Sequence, residues 1–269
     1  VALVLYSIFF GEFVAALSFL FKPDFSKITS QVALAAIGTA FFSVSVGITN
    51  MMAFGSYIEK QTNLPESATI VLIADTLVAM LAGLAIFPIV FMAGIEPAAG
   101  PGLAFVSLPI AFGQVPGGML VGTMFFALLF FAALTSSIGM MEPPVSWLRD
   151  SFNLSRRKAA YIAGGTALVL SLCAALSFNV LGDVRILGNL AVFADKTIFD
   201  FFVYTVTQVI MPAGGILVTI FAGWIVKRQF SADELYGGNE PITYKAWLFI
   251  IRFVAPVLLA FVLWSEATR

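Results

Sequence analysis

The chain has 269 residues, 60% hydrophobic and 11% charged, with a net charge of −1 and a mean hydropathy of +1.01. A soluble domain carries about 25% charged residues, so this chain cannot cover a water-facing surface and reads as an all-α polytopic membrane protein. Its near-zero charge argues against a nucleic-acid partner. A single cysteine, Cys173, and no histidine exclude internal disulfides and disfavour a zinc site.

In chain order, the opening "VALVLYSIFFGEF" has no basic n-region and is not a signal peptide. Residues 1–10 are half of the ~20 apolar residues a span needs. They read as a truncated span, and the chain is expected to begin inside a helix of a longer protein. Residues 11–30 are expected to form an external loop. Full spans are expected over 31–58, 66–94, 119–148, 159–178, about 198–226, and 245–265, separated midway by a Pro- and Gly-rich external cap loop over 95–118.

Basic residues set the orientation. One set of loops holds Lys60, Arg149, Arg156, Arg157, Lys158, Lys227, Arg228 and Lys245. The other holds Lys22, Lys27, Arg185, Lys196 and Arg269, and Arg252 lies inside the last span. The first set is therefore cytoplasmic, and the loop 95–118, without Lys or Arg, is external.

Three helices carry polar groups near the bilayer middle: Ser43, Asp75, and the pair Thr135 and Ser136. Asp75 is the sharpest, because a carboxylate at the centre costs at least ~2.5 kcal/mol. It either meets a cation or is a protonated acid bonded to a neighbouring helix. Ala132, Thr135, Ser136, Gly139 and Met140 share one helical face. That face serves close helix packing or, beside Asp75 and Ser43, a hard-cation site. Ser43 to Asn50 holds two serines, a glycine, a threonine and an asparagine. A break there is tolerable only if the freed backbone lines a cavity, and such breaks mark midplane sites in secondary transporters.

The stretches "FKPDFSKI", "AAIGTAFFSVSVG", "FVSLPIAFGQVPGG", "FFAALTSSIGMMEPP" and "RFVAPVLLAFVLW" resemble the neurotransmitter:sodium symporter family, in its bacterial amino-acid-transporting, leucine-transporter-like branch. The resemblance implies the second half of an inverted-repeat fold: the end of TM5, all of TM6–TM10 with TM6 unwound in the middle, and TM11. The N-terminal part, including the other unwound helix, would be missing. It also implies two Na⁺ sites, each completed by that missing part. One takes Ser43 and Asp75; the other takes the Ala132 carbonyl and the hydroxyls of Thr135 and Ser136. Phe42, Ser45, Ile48, Ser136 and Met140 match substrate-pocket positions. Asp200 matches an external gate, and Tyr57 and Asp150 an internal one. Chloride-dependent relatives carry Asn where this chain has Asp75, so chloride independence is expected.

The expected function is sodium-coupled symport of a neutral amino acid or related small amine across the cell inner membrane, with the chain inactive alone. A half-transporter acting as a homo-oligomer is the alternative. An intramembrane enzyme lacks a nucleophile–base pair, and a channel would want a continuous polar stripe. Glu142 stays unassigned, within the helix bundle or facing a cytoplasmic water path.

Overall fold

A computed structural model of the chain describes residues 1–45, 47, 50–59, 62–95 and 100–267. Ile48, Lys60, Arg269 and residues 96–99 of the expected cap loop lie outside the described residues. Every regular element among the described residues is helical. Among the described residues, five helical stretches are long and apolar enough to cross a bilayer: Leu64–Met92, Gly118–Phe152, Arg156–Leu176, Ile198–Ile225 and Ile242–Ser265. The chain is a multi-pass membrane protein. It forms two compact units, Val1–Ile28 with Ala68–Ile138, and Thr29–Ser67 with Gly139–Arg269.

In the first unit, helices α1 (Ala2–Phe10) and α2 (Phe13–Phe21) meet at a bend of 114°. The expected loop 11–30 thus contains a helix. Its apolar run is too short to span alone, and the turn at Gly11 and Glu12 redirects it. A Cβ at Gly11 would stand 2.7 Å from that of Pro88, so only glycine allows this approach to helix α5 (Leu64–Met92). Pro88 has no N–H, which strips the carbonyl of Leu84 of its helical donor. The fully buried Ser7 hydroxyl donates to that carbonyl at 2.8 Å, sharing its proton with Val4 O at 2.8 Å. The Glu12 N–H donates to Pro88 O at 2.9 Å.

After α5 comes a π-helical turn, Leu103–Ser107, and α6 (Leu108–Gln114). Leu108, Ala111, Phe112 and Val115 join Ile89, Val90 and Val121 in this unit's core. Tyr6 Oη donates to Pro116 O, tying α1 to the end of the same segment. Helix α7 is Gly118–Phe152.

In the second unit, Thr29 caps α3 (Ser30–Ser43) by accepting the Val32 N–H at 3.3 Å. The ladder stops after Ser43. The Ser45 N–H closes a turn onto Phe42 O at 3.0 Å, and Ser45 and Gly47 take left-handed φ values of 55° and 85°. Helix α4 (Asn50–Gly55) follows. The interruption has a tight neighbour. A Cβ at Gly47 would lie 2.2 Å from Met211 O, and one at Gly214 would lie 2.4 Å from Gly47 O. Backbone therefore packs on backbone, which only glycine permits.

Helix α8 (Arg156–Leu176) ends near Ser177, whose buried Oγ accepts the Phe199 N–H at 3.2 Å. The next span is α9 (Ile198–Tyr204), a π turn, α10 (Met211–Ile220) and a second π turn, Phe221–Ile225. Thr197 and Asp200 cap it reciprocally. After the polar α11 (Arg228–Tyr236), the last span is α12 (Ile242–Phe249), a π turn and α13 (Ala255–Ala267). Pro109, Pro212 and Pro256 each follow a π turn by two residues. A missing proline N–H lets the ladder slip by one residue, which is the geometry of a π turn.

Candidate functional site

The densest set of candidate ligands sits on α7. Thr135 Oγ1 donates to both Phe131 O and Ala132 O at 3.0 Å. Two oxygens 3.0 Å apart fit the bite of a hard cation: at ligand distances of about 2.3–2.6 Å they subtend roughly 70–80°. Ser136 Oγ makes no hydrogen bond to another described residue, and Ala132, Thr135 and Ser136 are all exposed. Hydroxyl and carbonyl oxygens on a bare face suit an ion without d-electron preferences. Ser137, one residue on, points its hydroxyl back to Ala133 O at 2.7 Å.

Asp75 lies on α5 in the first unit and is half-buried, whereas Ile70, Val71, Leu72, Ile73, Leu77 and Val78 are exposed. Ser43, the last residue of α3, belongs to the second unit and is exposed. Phe42 and Met140 are half exposed, at 51% and 50%. Ser45 sits in the left-handed turn itself.

A second cluster lies where α4 ends. Tyr57 Oη donates to Glu142 Oε1 at 2.7 Å, Ser146 Oγ to the same oxygen at 3.3 Å, and Arg156 Nη2 to Oε2 at 2.9 Å. The Glu142 side chain is only 17% exposed. Both carboxylate oxygens are therefore engaged. Sequence reasoning missed Arg156 and left Glu142 open. The available signal was the spacing of Glu142, Ser146 and Arg156 around the α7–α8 turn, but Tyr57 lies 85 residues away. Asp150 accepts instead from its neighbour Arg149, at 2.7 and 3.3 Å. No hydrogen bond joins Tyr57 to Asp150 among the described residues. Nearby, Pro143 and Pro144 remove the donors for the carbonyls of Gly139 and Met140. Phe54 of α4 packs where a Cβ on Gly139 would stand 3.2 Å from its ring.

Asp200 uses Oδ2 to accept from Thr197 Oγ1 at 2.7 Å and from Thr197 N–H at 3.3 Å. That closes the cap of α9.

A profile of the Sodium:neurotransmitter symporter family matches residues 1–269. The sodium-dependent transporter YhdH of Bacillus subtilis (strain 168) is 33% identical over 97% of this chain and 57% of its own length. A sodium-dependent transporter of Haemophilus influenzae is 35% identical over 90% of this chain and 52% of its own. The crystal structure of MhsT in complex with L-phenylalanine superposes with a TM-score of 0.87, at 38% identity, over 98% of this chain and 59% of that one. The chain thus spans about half the length of the relatives it matches.

Proposed function

Because the chain belongs to the sodium:neurotransmitter symporter family, we propose that it forms the second half of a sodium-coupled symporter for neutral amino acids in the cell inner membrane. The observation that carries the reading is the interruption between α3 and α4, with left-handed Ser45 and Gly47 seated on α10. An unwound helix leaves backbone amides and carbonyls for a ligand instead of a neighbouring turn. The MhsT structure, which holds L-phenylalanine, supports an amino acid with an apolar side chain as the substrate. Phe42, Ser45, Ile48, Ser136 and Met140 would contact it.

The co-transported ions are substrates here, at two sites. Ala132, Thr135 and Ser136 would hold one Na⁺, and Ser43 and Asp75 part of the other, with the remaining ligands in the missing N-terminal half. Asp75 supplies a negative charge of its own, so chloride is not required. This is transport without catalysis of a bond change. Asp200 would serve the external gate. Tyr57, Asp150, Glu142 and Arg156 would serve the internal one. Tyr57 follows directly on α4, so its bond to Glu142 would serve as a latch for the cytoplasmic side.

The test is uptake of labelled L-phenylalanine and L-leucine by the full-length transporter in liposomes. Uptake is expected to follow an inward sodium gradient, to vanish in Asp75→Ala, and to persist when chloride is replaced by gluconate. Uptake indifferent to sodium would overturn the reading. The chain alone is expected to be inactive in the same assay, and activity there would favour the homo-oligomeric half-transporter.

A further inference from the structure

The transport reading leaves one charge in the last span unused. Arg252 follows Ile242 by ten residues in that span, where a charged side chain is costly unless it is paired or reaches the interface. Its Nε donates to the carbonyl of Gly223, which lies in the final turn of a helix ending at Ile225 and so lacks an intrahelical donor. A Cβ on Gly223 would stand 3.0 Å from Arg252 Cγ, so the arginine stem lies on bare backbone. The ring of Trp224 is 5.6 Å from Arg252 Cζ. These contacts fix the guanidinium and leave its Nη1 and Nη2 without a hydrogen-bond partner among the described residues.

The surroundings set its level in the membrane. Helix α11 is polar, and the first two turns of the last span pack Tyr244 and Leu248 against Ala232 of that helix. Arg252 is bonded to Gly223, two residues from the end of the preceding span and four before the exposed Lys227, which sets its guanidinium near the membrane surface. Trp224, 58% exposed, suits the aromatic belt at the interface. Exposed Phe221, Ile225, Phe249 and Ile250 lie on the two spans within three residues of Gly223 or Arg252. Lys227 and Lys245 are exposed and form no ion pair among the described residues, whereas Arg228 is paired with Glu240.

We propose that Arg252, Trp224, Lys227 and Lys245 hold the phosphate of an anionic phospholipid in the cytoplasmic leaflet. The two open guanidinium amines match a phosphate bidentately. The lysines add the attraction that basic residues give an anionic headgroup. The exposed apolar side chains beside them offer the surface along which acyl chains run, which a free phosphate would not use. The site is separate from the substrate and ion positions above.

Lipid binding is read by native mass spectrometry of the full-length transporter in neutral detergent, titrated with phosphatidylglycerol, phosphatidylcholine or inorganic phosphate. Phosphatidylglycerol is expected to bind about tenfold or more tighter than phosphatidylcholine. Arg252→Gln is expected to lose about tenfold in affinity, the scale of one charge-assisted bond. A Lys227→Gln, Lys245→Gln double variant, with both side chains exposed, is expected to lose several-fold, and it decides the matter should Arg252→Gln misfold. Arg185→Gln, on the opposite face of the membrane, should change nothing. Equal binding of the two lipids overturns the proposal. So does displacement of lipid by equimolar inorganic phosphate, or an Arg185→Gln loss as large as that of Arg252→Gln.

Discussion

Ser7→Ala isolates the interaction that closes α1 onto the proline of α5. The substitution deletes the side-chain donor to Leu84 O, a carbonyl that Pro88 has already deprived of its i+4 helical partner. A buried acceptor left unpaired costs about 1–3 kcal/mol. Because the serine proton is shared with Val4 O, the lower part of that range, about 1–2 kcal/mol, applies. Pro88→Ala restores an N–H that can reach Leu84 O, so in that background Ser7→Ala should cost about 0.5 kcal/mol or less. The cavity left by the proline ring appears in both arms of the cycle and cancels, giving a coupling of about 1 kcal/mol for residues in direct contact. Equilibrium unfolding of the four proteins in mixed micelles, by raising the SDS fraction, measures it. If Ser7→Ala costs the same with and without Pro88, the carbonyl is not what the serine serves.

The other predictions concern transport by the full-length protein. Thr135→Val should raise the sodium concentration for half-maximal uptake by about tenfold or more, the worth of one lost charge-assisted oxygen contact, while Thr135→Ser should restore it; a half-maximal sodium concentration unchanged in Thr135→Val would remove α7 from the ion site. Gly47→Ala should abolish folded, active protein, since a Cβ would meet Met211 O at 2.2 Å at a φ of 85°, and normal yield and uptake would contradict the packing described here. Tyr57→Phe and Arg156→Gln should each raise cysteine accessibility from the cytoplasmic side, shifting the inward-open population several-fold for about 1 kcal/mol of lost hydrogen bonding; unchanged labelling in both would separate the Glu142 cluster from gating.

Much of this architecture is legible in the sequence because lipid imposes strict rules. A run of two serines and a glycine inside a span announces an interruption, and the backbone does leave the helix at Ser45 and Gly47. Helical periodicity puts Ala132, Thr135, Ser136, Gly139 and Met140 on one face, while the choice of Ala132, Thr135 and Ser136 among them rests on the family resemblance; the Thr135 hydroxyl lies 3.0 Å from the Ala132 carbonyl. Other features depend on who the distant neighbour is. Glu142 stays open between the helix bundle and a water path until Tyr57 and Arg156 arrive on either side. Arg252 stands out as a charge in a span, but its partner is a backbone carbonyl, which no side-chain pattern encodes. The helix at Phe13–Phe21 is hidden by length, since nine apolar residues are too few for a span and the stretch reads as loop.

The meeting of Gly47 with Gly214 and Met211 makes the pivot of the interrupted helix immobile in one sense and free in another. With main chain pressed on main chain, the point cannot slide along α10 without opening a void that no side chain is there to fill. A swing of α4 about the same point is instead resisted farther out, where Phe54 rests against Gly139 and Tyr57 holds Glu142. The joint is thus pinned at one end by bare main chain and steadied at the other by side chains, so the two can be loosened separately by substitution.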